Sequence, residues 1–260
     1  MIKYLGSKRR LLPVLTELFE RSGATSALDL FTGTTRVAQG FKRAGGTVTA
    51  VDTARYSEVF ARTWIETDAD ELGADDRATL TAEIDRLNAL PGDAGYVTDT
   101  FCTQARFFQP FNGERIDAIR QAIADDHAGT ALEPILLTSL LLAADRVDST
   151  TGVQMAYVKA WAPRSFKPLH LAVPDLLGGS GRAVRGDAMQ VAGDLGSFDL
   201  AYLDPPYNQH RYFTNYHVWE TIVAWDRPDH YGVARKRVDA RDESTKSVFN
   251  RKREMPDALR

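Results

Sequence analysis

Residues 199–203 form a short apolar run that ends in Asp204-Pro205-Pro206-Tyr207. The run reads as a strand. Two successive prolines fix φ and remove two backbone donors, so the chain leaves that strand through a rigid turn. The Asp204 carboxylate and the Pro205 carbonyl are acceptors, and the Tyr207 ring offers a stacking face. Held rigidly, those groups suit a flat, polar ligand. The plain alternative is an ordinary strand-ending turn, and the rest of the chain argues against it.

Three more acidic residues close strand-like runs. Ala27-Leu-Asp29-Leu-Phe31 has a buried-strand pattern and leads into Thr32-Gly33-Thr34-Thr35, with a helix expected over 36–44. Thr35 stands where a second glycine is usual in such turns. Gly45-Gly46 breaks the helix, and residues 47–51 make a second strand ending at Asp52. An acid about 20 residues beyond the first strand is the ribose-binding arrangement of nucleoside-cofactor folds. Residues 183–187 make a third strand and turn ending at Asp187. Strand, small-residue turn and helix, repeated, predict an α/β fold with a parallel, Rossmann-like sheet. In such sheets ligands lie beyond the carboxyl ends of the strands.

Between the second and third strands the chain is mostly helical. Helices are expected over 56–67, 77–90, 112–124 (capped by Asn112) and 134–144, after an N-terminal one over 9–21. Residues 154–158 suit a strand. The 260 residues carry a net charge of −3, yet basic residues gather between 155 and 185, where Lys159, Arg164 and Lys167 alternate with aromatics. That is compatible with a phosphate-binding face or with a solvated loop. No apolar run is long enough to span a bilayer, and the N-terminus lacks a signal-peptide core. The single cysteine, Cys102, excludes an internal disulfide and a cysteine-based zinc cluster, and no metal is expected. A cytoplasmic location follows.

No Gly-rich, Lys-Thr phosphate cradle is present, so ATP fits poorly. A nucleoside cofactor without phosphates fits better, and S-adenosylmethionine is the obvious one. Tyr4-Leu-Gly-Ser-Lys8, Asp29-Leu-Phe-Thr-Gly33, Asp52, Gly186-Asp187 and Asp204-Pro-Pro-Tyr207, in that order, resemble the motifs of the Dam-like adenine-N6 DNA methyltransferases. The resemblance covers most of residues 1–225. It implies a site-specific transfer of methyl from S-adenosylmethionine to the adenine N6 amine in DNA, often beside a cognate restriction endonuclease. It implies that Tyr4, Lys8, Asp29, Phe31, Gly33, Asp52 and Asp187 hold the cofactor, with Lys8 and Gly33 at its methionine end, Asp52 on the ribose and Asp187 near the adenine. Asp204, Pro205 and Tyr207 would hold the target base. Segment 145–174 falls where such enzymes carry a DNA-contacting hairpin, with Arg146, Lys159, Arg164 and Lys167 as candidate contacts.

These readings divide the chain into a cofactor-binding core (1–54 and 183–225), a helical insert (55–182) and a polar extension (226–260). A sheet of this class usually has seven strands, and the extension lacks apolar runs for the last three. The expectation is therefore a truncated chain, or one completed by a second polypeptide. Two other functions compete: an amino-group methyltransferase acting on RNA bases, and an inactive, truncated cofactor-binding remnant.

Overall fold

The computed structural model describes residues 2–4, 6, 8–206, 212–242, 245, 247–251 and 253–258. Its helices are α1 (Leu12–Ser22), α2 (Arg36–Arg43), α3 (Arg55–Ala61), α4 (Ala74–Ala89), α5 (Pro110–His127), α6 (Leu132–Val147), α7 (Ala188–Val191), α8 (Tyr212–Asn215), α9 (His217–Ala224) and α10 (Met255–Ala258). Its strands are β1 (Ser26–Asp29), β2 (Thr47–Asp52), β3 (Gly181–Arg185), β4 (Leu200–Tyr202), β5 (His230–Tyr231) and β6 (Lys236–Arg237). The chain forms two compact units. One comprises Gly6–Gly73, Asp175–His210 and Ser247–Arg260; the other comprises Met1–Leu5, Ala74–Pro174 and Arg211–Lys246.

The first unit holds a four-stranded parallel sheet in the order β3-β2-β1-β4. Its central strands are apolar because both faces are covered. Phe19 of α1 and Phe41 of α2 stack at 4.9 Å beside Ala27, Val48 and Ala50. Burying each ring contributes about 2–3 kcal/mol. Helices α1 and α2 approach closely through Gly40, where a Cβ would lie 2.6 Å from a Leu12 methyl. Helix α1 starts at Leu12 rather than residue 9. Lys8–Arg10 form a 3-10 turn first, and Pro13 sits at the helix start, where its missing donor does no harm. Lys42 is buried and caps the π-helical turn Arg62–Glu66, its ammonium donating to the carbonyls of Ile65 and Thr67, each at 2.8 Å.

The chain steps from β1 outward to β2 and β3, then returns to place β4 on the other side of β1. That reversal opens a crevice at the carboxyl ends of β1 and β4, the usual ligand position of open parallel sheets. Among the described residues β4 pairs only with β1, and Leu203 beyond it is 52% exposed. The strand structure among the described residues of 226–260 is the short antiparallel pair β5–β6.

The second unit packs α5 against α6 around Ile116, Ile119, Leu136, Leu140 and Leu141, all fully buried. Two local expectations fail here. Asn112 does not cap α5, because Pro110 starts the helix earlier and Gln109 occupies the cap position. Asn112 is instead buried in the first turn. Its amide donates to the carbonyls of Ser165 (3.1 Å) and Lys167 (3.0 Å), and its carbonyl accepts from Leu169 N–H (2.8 Å). Asn88 treats Leu171 the same way. These amides satisfy an extended segment that has no strand partner among the described residues. Residues 154–158 likewise form no strand, only an isolated bridge between Thr150 and Tyr157. Gln154 instead caps a helix: its side-chain carbonyl accepts from Val218 and Trp219 N–H at the start of α9. No described helix is long and apolar enough to cross a membrane.

Candidate active site

The carboxyl ends of β1, β2 and β4 bring Asp29, Asp52 and Asp204 to one end of the sheet. Asp29 is 1% exposed. Its Oδ2 accepts from the Thr32 hydroxyl (2.9 Å) and the Ala38 N–H (3.2 Å), while its Oδ1 is buried with no hydrogen-bond partner among the described residues. Burial pushes its carboxyl up to about 7, with the charges of Asp52 and Asp204 adding to the effect. A buried carboxylate oxygen left without a donor is costly in isolation and fits a site awaiting a cationic or hydrogen-bonding ligand.

Asp52 is partly buried, and burial raises its carboxyl as well. One oxygen accepts from Gly33 N–H (2.8 Å) and the other from Ala54 N–H (3.0 Å). Gly33 has φ +52°, and Thr35, further along the same turn, has φ +59°. A β-branched residue in that region is strained. Here the Thr35 hydroxyl donates to Thr34 O (2.7 Å) and accepts from the Gln39 amide (2.8 Å), which holds it. The sequence marked this position as lacking its usual glycine, and the backbone adopts the glycine-like conformation regardless.

Lys8 forms an ion pair with Asp204, side chains 20% and 27% exposed, and also donates to Gly6 O at 3.0 Å. The lysine expected at the cofactor's methionine end thus pairs with the carboxylate of the Asp-Pro-Pro turn. Asn250 donates to the Pro206 carbonyl at 2.9 Å, and Phe249 meets Phe31 edge-on at 5.1 Å. Thus Ser247–Asn250 returns to the Asp-Pro-Pro turn. Sequence reasoning missed both residues; the signal was one apolar pair, Val248-Phe249, in a polar stretch. Asp187 is exposed and caps α7, its Oδ1 accepting from Met189 N–H at 2.9 Å. Tyr207 lies outside the described residues. Among the described residues no group of three or more His, Cys, Asp and Glu is arranged to hold a metal.

The remaining candidates lie in the helical unit. Tyr4 stacks on Tyr216 (4.5 Å) and Tyr212 (5.6 Å). Arg164 is bound to Asp148 and to the Thr150 carbonyl, and Lys3 donates to the same Asp148 oxygen, Oδ1, at 2.8 Å. That pairing fixes the start of the 148–167 loop. Asp145 beside it is pushed up to about 6 by burial, against the pull of Lys3. Lys159, Lys167 and Arg146 are exposed.

A family model described as D12 class N6 adenine-specific DNA methyltransferase matches residues 4–254. The type II methyltransferase M.NlaIII of Neisseria lactamica is 33% identical over 241 residues, 86% of this chain and 70% of its own length. The modification methylase StsI of Streptococcus sanguinis is 28% identical over 249 residues, 90% of this chain and 38% of its own. The type II methyltransferase M.FokI of Planomicrobium okeanokoites is 26% identical over 277 aligned positions, 99% of this chain and 42% of its own. No solved structure matches the chain.

Proposed function

The chain belongs to the D12 class N6 adenine-specific DNA methyltransferase family, and from that premise we propose that it methylates the N6 amine of adenine in duplex DNA. The observation that supports this best is the Asp204 carboxylate, held by Lys8 at the switch-point crevice two residues before a carbonyl that Asn250 fixes. S-adenosylmethionine, when bound, supplies an electrophilic methyl group. The residues present fit it. Asp29 Oδ1, buried and without a donor among the described residues, suits the ammonium of the methionine end. Gly33 and Phe31 border the same turn, and Asp52 stands at the ribose position.

An exocyclic adenine amine is a weak nucleophile because its lone pair is delocalised into the ring. Asp204 and the Pro205 carbonyl accept its two N–H hydrogens, which favours a pyramidal nitrogen with an available lone pair. Fixed acceptors need no reorganisation as charge develops, and orientation supplies much of the rate. Tyr207 stacks on a base flipped from the duplex. Exposed Lys159, Lys167 and Arg146 contact phosphates, whereas Arg164 orders the loop through Asp148. Methyl transfer is thus assigned to the sheet unit and DNA contact to the helical unit. A cytoplasmic location and a cognate restriction endonuclease accompany this reading.

Radiolabelled methyl transfer to duplex DNA, single-stranded DNA and RNA tests it, with Asp204→Ala as the control. Duplex DNA should be the preferred acceptor. Asp204→Ala should abolish transfer while cofactor affinity stays within a few-fold. Equal loss of both refutes this division of labour, and preference for RNA refutes the substrate.

A further inference from the structure

The β5–β6 hairpin carries a second concentration of cations that the 148–167 loop does not account for. Its register pairs His230 with Arg237 and Tyr231 with Lys236. Alternation puts those pairs on opposite faces. The His230–Arg237 face is anchored: Arg237 is 5% exposed and is gripped by Asp226 (2.6 Å) and Asp239 (2.7 Å). On the Tyr231–Lys236 face both residues are half-buried, and exposed Arg241 lies over the Tyr231 ring at 3.8 Å.

The tip is unusual. Arg235 has φ +50° and donates its N–H to Gly232 O at 3.1 Å. Glycine or asparagine would hold that left-handed position at less strain. Val233 beside it is 76% exposed.

The hairpin is also joined to the basic loop within the same unit. Arg235 Nε donates to the Gln104 carbonyl (3.3 Å), and His230 Nε2 bonds Gln104 Oε1 (3.1 Å). Two residues on, Arg106 donates to the Lys159 carbonyl and lies 4.8 Å above the Trp161 ring. Segment 104–106 therefore bridges the hairpin tip and loop residues 159–161. Lys159, Arg106, Arg235, Lys236 and Arg241 lie along these connected pieces, in a chain whose net charge is −3. With Asp226 and Asp239 committed to Arg237, Asp229 is the remaining carboxylate between residues 226 and 241.

We propose that the β5–β6 hairpin is a second DNA-contacting element, laying Lys236 and Arg241 on the phosphate backbone of the duplex beside the 159–167 loop. This rests on the reading of DNA as substrate. A two-stranded ribbon is a shape that a duplex groove admits, and surplus Lys and Arg are what phosphates reward. These contacts position the duplex without reading its sequence.

The test is fluorescence anisotropy of the full chain on a random-sequence duplex, titrated across about 50–200 mM NaCl. Lys236→Ala/Arg241→Ala is compared with wild type and with Lys159→Ala/Lys167→Ala. Each lost phosphate contact lowers the slope of log K against log[NaCl] by about 0.9. The hairpin variant should therefore lose about 1–2 units of slope and about tenfold or more in affinity. Its cofactor affinity and melting temperature should match wild type, which separates lost contacts from lost fold. An unchanged slope and affinity in the hairpin variant, with the loop variant weakened, overturns the hairpin assignment alone. Failure of the wild-type chain to bind duplex overturns the DNA reading itself.

Discussion

Asp29→Asn tests the candidate cofactor site most directly, because burying the ionised Asp29 carboxyl costs the free protein stability. Burial raises it from an ordinary value of 3.8 to about 7. Below the lower value both folded and unfolded chains bind the proton, and the group contributes nothing. As pH rises through that window the unfolded chain loses its proton first, so the folded state is progressively disfavoured. A gap of about three units corresponds to about 4 kcal/mol, fully developed above pH 7. Asparagine preserves the shape and can accept from Ala38 N–H, but it has no charge to bury. Asp29→Asn should therefore be more stable than wild type at pH 8, by up to about 4 kcal/mol, with the difference vanishing toward pH 4. Urea denaturation at several pH values measures it. The same residue should play a different role in binding: pairing Asp29 with a cationic ligand favours the carboxylate. At pH 7, where the group is about half protonated, S-adenosylmethionine binding should release about half a proton. Calorimetry in phosphate and in Tris, whose ionisation enthalpies differ, reads that release, and Asp29→Asn should abolish it while weakening binding at least about tenfold. Parallel pH–stability curves for wild type and Asp29→Asn would refute the reasoning.

Two further perturbations test single side chains, Lys8 and Asp117. Lys8→Met should lower kcat about tenfold with little change in cofactor Kd, because Lys8 holds Asp204; a loss confined to cofactor Kd would return Lys8 to the cofactor. Asp117 accepts from the backbone N–H groups of Gly95, Val97 and Thr98 and from the Thr98 hydroxyl, all at 2.7–2.9 Å. Asp117→Ala leaves buried donors unmet and should remove about 3 kcal/mol or more of unfolding free energy in urea, with a loss under about 1 kcal/mol speaking against that account.

The strands at 26–29, 47–52 and 200–202 were legible as short apolar runs that lead into an acid or a turn, whereas β3 at 181–185 starts two residues before the expected 183–187 and carries Arg182 and Arg185. Helices 77–90 and 134–144 were legible from their spacing, as α4 and α6, with ends displaced by a few residues. The misses share a cause. Locally Asn112 reads as a helix cap, Asn88 as a residue of the helix 77–90 and Gln154 as the start of a strand, yet each bonds to backbone dozens of residues away. Phe249 and Asn250 sit more than 40 residues beyond the Asp-Pro-Pro turn, in a polar stretch whose one local signal is the apolar pair Val248-Phe249.

By itself the sequence determined which residues close the strands, that the sheet is parallel, and that Asp204-Pro205-Pro206 forms a rigid acceptor turn, because periodicity and proline geometry act over a few residues. Tertiary structure decided the order β3-β2-β1-β4, the orphaned oxygen of Asp29 and the partner of Lys8. It also decided that Arg164 belongs to Asp148 and that the β5–β6 hairpin shares segment 104–106 with the basic loop. Those depend on distance between residues far apart in the chain, and on burial, which set what a charge meets and what its isolation costs.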